Sequence, residues 1–336
     1  MIKKLAIISF TFLYSNLSFA QLYTTVYDLA EEQEVYIFGQ SIPVNEGLLD
    51  QPNEIYYFDS IFIVKNTFGA HTLTLFDEQF NYLNSCLEKG NPNPSSLSYY
   101  DGKILLLNNG RLFQYGLGEM MTLKKPESVQ LILPSNVSWK SSIHPYRAGE
   151  LIIFTPEETN TERLIVLDKE LREKKRLAPM SALGVDSILN NHLNATMTID
   201  PASGHAFIGY RYTNYIEKFE VETGKLLVLA HEANSIFPPE HDILSTMTIA
   251  STHYTFFTRM KVYSNKLYVL YRYGVPSMPR KEDEKMRLLI FDTKNLSLER
   301  NLILDEDLED FVMVGESELI GVCYYCEDPI RQYWLD

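Results

Sequence analysis

Three cysteines in 336 residues, Cys86, Cys323 and Cys326, are too few and too odd in number for a disulfide-built scaffold. Cationic side chains are also scarce: 30 Lys and Arg stand against 44 Asp and Glu, for a formal net charge of −14. Such a surface repels phosphate backbones and anionic lipid, so no nucleic-acid partner is expected. After residue 20 no apolar run approaches the roughly 20 residues that a membrane-spanning helix needs. Long stretches with the 3.6-residue period of a helix are missing too, which disfavours a parallel βαβ fold. There is no Gly-x-Ser-x-Gly elbow, no His-Glu-x-x-His pair and no phosphate-cradling glycine loop, so no compact catalytic signature is present and no cofactor is expected.

What is present begins with "MIKKLAIISFTFLYSNLSFA" (1–20). Lys3 and Lys4 form a basic start, Leu5 to Tyr14 is apolar, and Ser18-Phe19-Ala20 supplies a small-x-small cleavage pattern. The segment reads as a signal peptide. It predicts a mature chain starting near Gln21 and released to the periplasm or the cell exterior. The rest, 21–336, is expected to form one domain.

That domain is built from a repeat. Six segments combine a tight turn with an apolar strand: "DSIFIVK" (59–65), "DGKILLLN" (101–108), "AGELIIFT" (148–155), "SGHAFIGY" (203–210), "SNKLYVLY" (264–271) and "ESELIGVCY" (316–324). Gly, Asn, Asp and Ser at the turns suit the positive φ of two-residue hairpins. A third strand follows each, among them "HTLTLFD" (71–77) and "MRLLIFD" (286–292), and several lead through an acidic turn into a fourth. The pattern predicts an all-β, six-bladed β-propeller of four-stranded antiparallel blades, with a two-domain sandwich as the alternative. The sixth copy stops after its third strand. The early segment "EVYIFGQ" (34–40), with 35–40 as the closing strand, is expected to complete it.

With this strand pattern, and with "KGNPNPSS" (89–96) after the first blade, the chain resembles the TolB-like six-bladed propellers exported by Bacteroides-type bacteria. That family often carries Gly-x-Gly-Pro-x-Glu at the latter position; here Asn91-Pro92-Asn93-Pro94 replaces the turn and Ser96 the carboxylate. The resemblance implies fold and export and carries no single activity.

In such a ring the second-to-third strand connections, and the starts of the innermost strands, gather on one face around the channel. The triplets Tyr210-Arg211-Tyr212 and Tyr271-Arg272-Tyr273 are expected at equivalent places on neighbouring blades. Arg between rings suits planar anions or sugars, whereas the structural alternative is strand-end side chains snorkelling over blade edges. The candidate ligand-binding set is Arg211, Tyr212, Asn214, Arg272, Tyr273, His144, Arg259 and Tyr325. The loop "GVPSMPRKEDEK" (274–285) reads as a solvated connection before a lid, and "DEDLED" (305–310) as a solvated acidic turn lacking the glycine of a calcium loop. "CYYC" (323–326) leaves structural thiols, a redox or disulfide pair and, least of all, half a metal site open. No metal is expected.

These features predict a non-catalytic binding propeller whose rim takes an unknown small ligand or an envelope protein. The alternative is a propeller hydrolase or lyase with a channel-centred, metal-assisted site, which would draw on Asn194 and Asp310.

Overall fold

In the structure, a computed structural model, the residues described are 23–29, 32–45, 47–88, 96–108, 110–123, 128–133, 141–155, 162–179, 195–210, 215–232, 257–272 and 285–336. The export segment, Asn194, most of "KGNPNPSS" and nearly all of "GVPSMPRKEDEK" lie outside them.

Six sheets follow one another in chain order as blades of a β-propeller. Blade 1 runs from inside outward as Pro52–Phe58, Ile61–Asn66, His71–Phe76 and Tyr82–Glu88. Blade 2 is Ser96–Tyr100, Lys103–Asn108, Arg111–Gly116 and Val129–Ile132; blade 3 is Ser142–Pro145, Leu151–Phe154, Glu162–Leu167 and Glu173–Pro179. Blade 4 is Ala195–Asp200, His205–Tyr210, Tyr215–Glu220 and Lys225–Glu232; blade 5 is Phe257–Tyr263, Lys266–Arg272, Met286–Asp292 and Leu298–Leu304. Blade 6 contributes Asp310–Met313, Glu318–Val322 and Ile330–Trp334. The hairpin turns take the expected left-handed backbone: φ is 46° and 65° at Asp59-Ser60, 50° and 72° at Asp101-Gly102, and 48° and 61° at Ser264-Asn265.

Closure uses the N-terminal region, with a shift from the expected segment. Gln40–Ile42 is the fourth strand of blade 6, antiparallel to Ile330–Trp334. Glu34–Ile37 instead runs parallel to Leu298–Leu304 as a fifth strand on blade 5, and Tyr23–Tyr27 does the same on blade 4. The break has a local cause. Gly39 passes over the Tyr333 ring, where a Cβ would lie 2.5 Å from Cζ, and its N–H donates to Asp305. The chain therefore bends at Phe38-Gly39 and steps from one blade to the next.

Alternation along each strand explains the ring. In blade 2, Ile104 and Leu106 face blade 1, whereas Leu105 and Leu107 face blade 3. Six apolar clusters result, one between each pair of neighbours, and the pair that joins the ring is no exception: Ile55, Phe62 and Val64 of blade 1 pack against Val312, Ile320 and Ile330 of blade 6. Each blade is thus half of two cores and can bury its faces only when both neighbours are in place.

Candidate functional site in the central channel

The innermost strands carry polar residues at alternate positions where a core strand would carry apolar ones. Glu54 and Tyr56 on blade 1 and Arg259 and Lys261 on blade 5 follow that period of two. Blade 6 separates these blades in the ring, so their side chains meet only by crossing the channel. Arg259 Nη2 donates to Glu54 Oε1 at 3.3 Å, and Lys261 Nζ lies 5.4 Å from the centre of the Tyr56 ring. Glu54 also accepts Lys65 Nζ at 3.0 Å and the Tyr56 hydroxyl. Asp310, the first residue of blade 6's inner strand, accepts the backbone N–H of Ile55 at 3.2 Å. Its Oδ1 is buried and accepts no hydrogen bond, lying 3.7 Å from Arg259 Nε and 3.5 Å from Lys261 Nζ.

Charge and exposure divide unevenly within this cluster. The Glu54 and Asp310 side chains are 10% and 2% exposed, against 35% and 30% for Arg259 and Lys261. The carboxylates are buried, whereas the cation side chains are about a third exposed. Burial alone would raise the Glu54 carboxyl, but Lys65 and Arg259 outweigh it and hold Glu54 below its ordinary range. Burial, with the Glu54 charge beside it, pushes the Tyr56 hydroxyl well up. Burial opposes the charge of Arg259, yet Glu54 and Asp310 more than offset it and keep the guanidinium protonated. Among the described residues of this cluster, the cations Lys65, Arg259 and Lys261 outnumber the carboxylates Glu54 and Asp310.

Across the channel, His144 of blade 3 pairs its Nε2 with Ser142 Oγ at 2.8 Å. Burial, and then the nearby Lys261 charge, push His144 down to about 3, so its ring is neutral at physiological pH. Of the residues expected from sequence, Arg259 and His144 are therefore brought towards one another through Lys261. Arg272 ends the second strand of blade 5, with Nη2 3.7 Å from Asp307. Tyr325 is 86% exposed on the second-to-third strand connection of blade 6, edge-on to Tyr324. Arg211, Tyr212, Asn214 and Tyr273 lie outside the described residues. The first tyrosine of each triplet belongs to the core. Tyr210 bonds Arg163 and Glu217 between blades 3 and 4, and Tyr271 packs in the cluster between blades 4 and 5.

The acidic run 305–310 starts as a solvated turn at Asp305 and ends buried at Asp310. Asp305 binds the Gly39 N–H, the Tyr333 hydroxyl at 2.8 Å and Arg331 at 3.2 Å, which fastens the closing strand. Asp307 meets Arg272, and Asp310 is buried in the channel. The same pull that suits carboxylates to cations in one acidic stretch thus anchors three different places. Cys323 and Cys326 form a disulfide. Cys86 is a free thiol, and burial pushes it up to about 12, so it stays protonated and unreactive.

Sequence spacing did not point to Glu54, Tyr56, Lys65 or Lys261. For Glu54, Tyr56 and Lys261 the signal was a polar side chain at alternate positions of an inner strand, in "PNEIYYF" and "FTRMKVY"; Lys65, in "IFIVKN", had none.

No family model matches the chain, and no curated protein matches its sequence. Solved structures do match in shape. A protein of Bacteroides fragilis NCTC 9343 described as exported superposes with a TM-score of 0.59 at 9% identity, covering 94% of this chain and 99% of its own. A luciferin-regenerating enzyme gives 0.53 at 9% identity, over 86% of this chain and 92% of its own. A catalytically inactive virginiamycin B lyase from Staphylococcus aureus, with quinupristin, gives 0.51 at 10% identity, over 89% and 99%. The same ring thus serves an exported protein and enzymes alike, and at these identities the likeness establishes the six-bladed propeller fold alone.

Proposed function

We propose that this chain is an exported, non-catalytic propeller of the TolB-like kind that binds a small carboxylate-bearing ligand at the mouth of its channel. The observation that carries the reading is the crossing of Arg259 from blade 5 to Glu54 of blade 1, with the Arg259 and Lys261 side chains about a third exposed and both carboxylates buried. Neither cation has used its donors up. Arg259 offers five N–H groups and Lys261 three, so a ligand carboxylate can be received without breaking the existing pairs. His144, neutral beside Ser142, supplies a further polar contact on the opposite wall. In this reading Arg272 and Tyr325 belong to the rim of the mouth, together with Arg211, Tyr212, Asn214 and Tyr273, which the sequence pattern assigns to it. Export rests on residues 1–20 and places the protein in the periplasm or outside the cell; N-terminal sequencing of the mature protein is expected to start near Gln21.

A thermal-shift series with acetate, succinate and citrate tests the site. Binding raises apparent stability by mass action, by about 2.7 kcal/mol at a hundredfold excess over Kd. At least one of these anions is expected to raise the wild-type midpoint, and the Arg259→Met/Lys261→Met double variant is expected to lose the gain. An equal shift in the double variant would retire the channel as the binding site.

A further inference from the structure

Blade 6 holds a second cluster of donor atoms, built from residues that the channel cluster does not use. Cys323 follows the blade's second strand and Cys326 stands in the connection to the third, with Cα atoms 5.5 Å apart. Glu306 comes from another loop, the one that leads out of blade 5 into the inner strand of blade 6. One donor atom from each, the Sγ of Cys323, the Sγ of Cys326 and a Glu306 carboxylate oxygen, all lie within 4.8 Å of one another. The sequence shows the cysteine pair alone, and the fold adds the carboxylate.

Both loops are held in place by bonds other than the disulfide. Cys323 N–H donates to Pro329 O at 2.8 Å, which closes the connection on itself, and Glu309 N–H donates to Val322 O at 2.8 Å, which ties the two loops together. Glu306 stands between Asp305, fastened to Gly39 and Tyr333, and Asp307, paired with Arg272. Cys323 is buried, whereas Glu306 and Cys326 are half-buried, so the cluster has a dry floor and a side that solvent reaches. The disulfide spans only three positions, and a cross-link that closes so short a loop constrains the unfolded chain least. Opening it should leave the ring folded and the three donors close together.

Opening the bond changes what the cluster attracts. Two thiolates beside a carboxylate are three like charges in one small volume, an arrangement that a bound cation relieves. The two sulfurs select zinc over calcium or magnesium, which take oxygen ligands. Cys-x-x-Cys is a zinc-ligand spacing, and donors around a tetrahedral zinc stand roughly 3.5–3.8 Å apart, which side-chain rotation reaches once the sulfurs part. Three protein ligands leave the fourth position to water, on the side that solvent reaches. We infer that reduction converts this disulfide into a zinc site with Cys323, Cys326 and Glu306 as its ligands. A dithiol gives the Cys323–Cys326 bond two electrons and two protons and itself becomes a disulfide; zinc then displaces both thiol protons to solvent. The site draws on blade 6 and its entry loop and does not depend on the channel reading.

The test is titration of the full mature chain with cobalt(II), a coloured stand-in for zinc, before and after reduction by excess phosphine. Reduced wild type is expected to take up one cobalt per chain, with thiolate-to-cobalt charge-transfer absorption and tetrahedral d–d bands, and zinc should displace it. The oxidised protein should show neither signal. Cys326→Ser should abolish uptake and Glu306→Gln should weaken it at least tenfold, while Arg259→Met/Lys261→Met leaves it unchanged. Glu306 and Cys326 are half-buried, so both variants should fold, which a melting curve matching that of reduced wild type verifies. Cys86 is buried and stays protonated, so it supplies no competing thiolate. Absence of the cobalt spectrum in the reduced protein overturns the inference. So does a disulfide that phosphine cannot open, loss of the fold on reduction, equal uptake by the oxidised protein, or Glu306→Gln binding as tightly as wild type. The channel anions are read with a separate variant, so failure here and failure of the channel proposal are told apart.

Discussion

Two clusters in this ring use the same three residue types in different surroundings. Between blades 3 and 4, Arg163 donates to Glu217 at 3.0 Å and the Tyr210 hydroxyl bonds Glu217 as well. In the channel, Arg259, Glu54 and Tyr56 repeat that pattern. The first set is dry: Arg163 and Glu217 side chains are 2% and 0% exposed, and Arg163 Nε and Glu217 Oε1 have no partner. The second has spare cations, since Lys65 also serves Glu54 and Lys261 also serves Asp310. The interface set fixes how two blades meet and can exchange nothing. The channel set is redundant and partly hydrated, so it can change partners. Desolvation, more than residue identity, separates a structural ion pair from a candidate site.

The largest contrast should come from removing one carboxylate. Glu217→Ala strands the Arg163 charge in a closed interface and is expected to cost about 3–5 kcal/mol in urea unfolding. If the dry set is dispensable as charge, Arg163→Met combined with Glu217→Leu should restore most of that loss, because two apolar side chains of similar size need no hydration. Arg259→Met in the channel leaves Lys65 on Glu54 and Lys261 on Asp310, so its stability change should stay within about 1 kcal/mol, while anion binding falls. A loss as large as that of Glu217→Ala would dissolve the distinction between the two clusters.

The last effect is absent near neutral pH and emerges only in acid. His144 is held at about 3 in the fold against an ordinary 6.5, so the unfolded chain binds its proton first as pH falls. Folded stability is therefore lost progressively from about pH 6.5 down to about 3. His144→Gln should flatten that part of a plot of melting temperature against pH, and an unchanged slope would show that the ring is not buried as described.

The blades were legible because hairpins are local. "SNKLYVLY" carries its own turn residues and its own alternation, and Ser264-Asn265 adopts the backbone they imply. Closure by the N-terminal region followed from the missing fourth strand of blade 6. Its register did not, because "EVYIFGQ" reads as one strand and only the Tyr333 ring beneath Gly39 shows where it must break. The parallel strands Tyr23–Tyr27 and Glu34–Ile37 were equally hidden, since periodicity states neither partner nor direction. In the channel, Arg259 and His144 could be named from their places at the starts of inner strands. Their partners could not: Arg259 and Glu54 are 205 positions apart, and nothing in local spacing joins them. Tyr210 and Tyr271 look like rim residues in the triplets but are drawn inward by two carboxylates of blade 4, Glu217 and Glu232.

The three-residue strand Gln40–Ile42 has a consequence for how the molecule comes into being. Its mate, Ile330–Trp334, is made some 290 positions later, so a ribosome must deliver all of the intervening blades before the two can meet. Until then blades 1 and 6 each show the world an unmated greasy flank. A newborn chain of this design should need shelter from its neighbours for most of its synthesis, and lose that need abruptly when the clasp of Arg331 on Ser41 snaps shut.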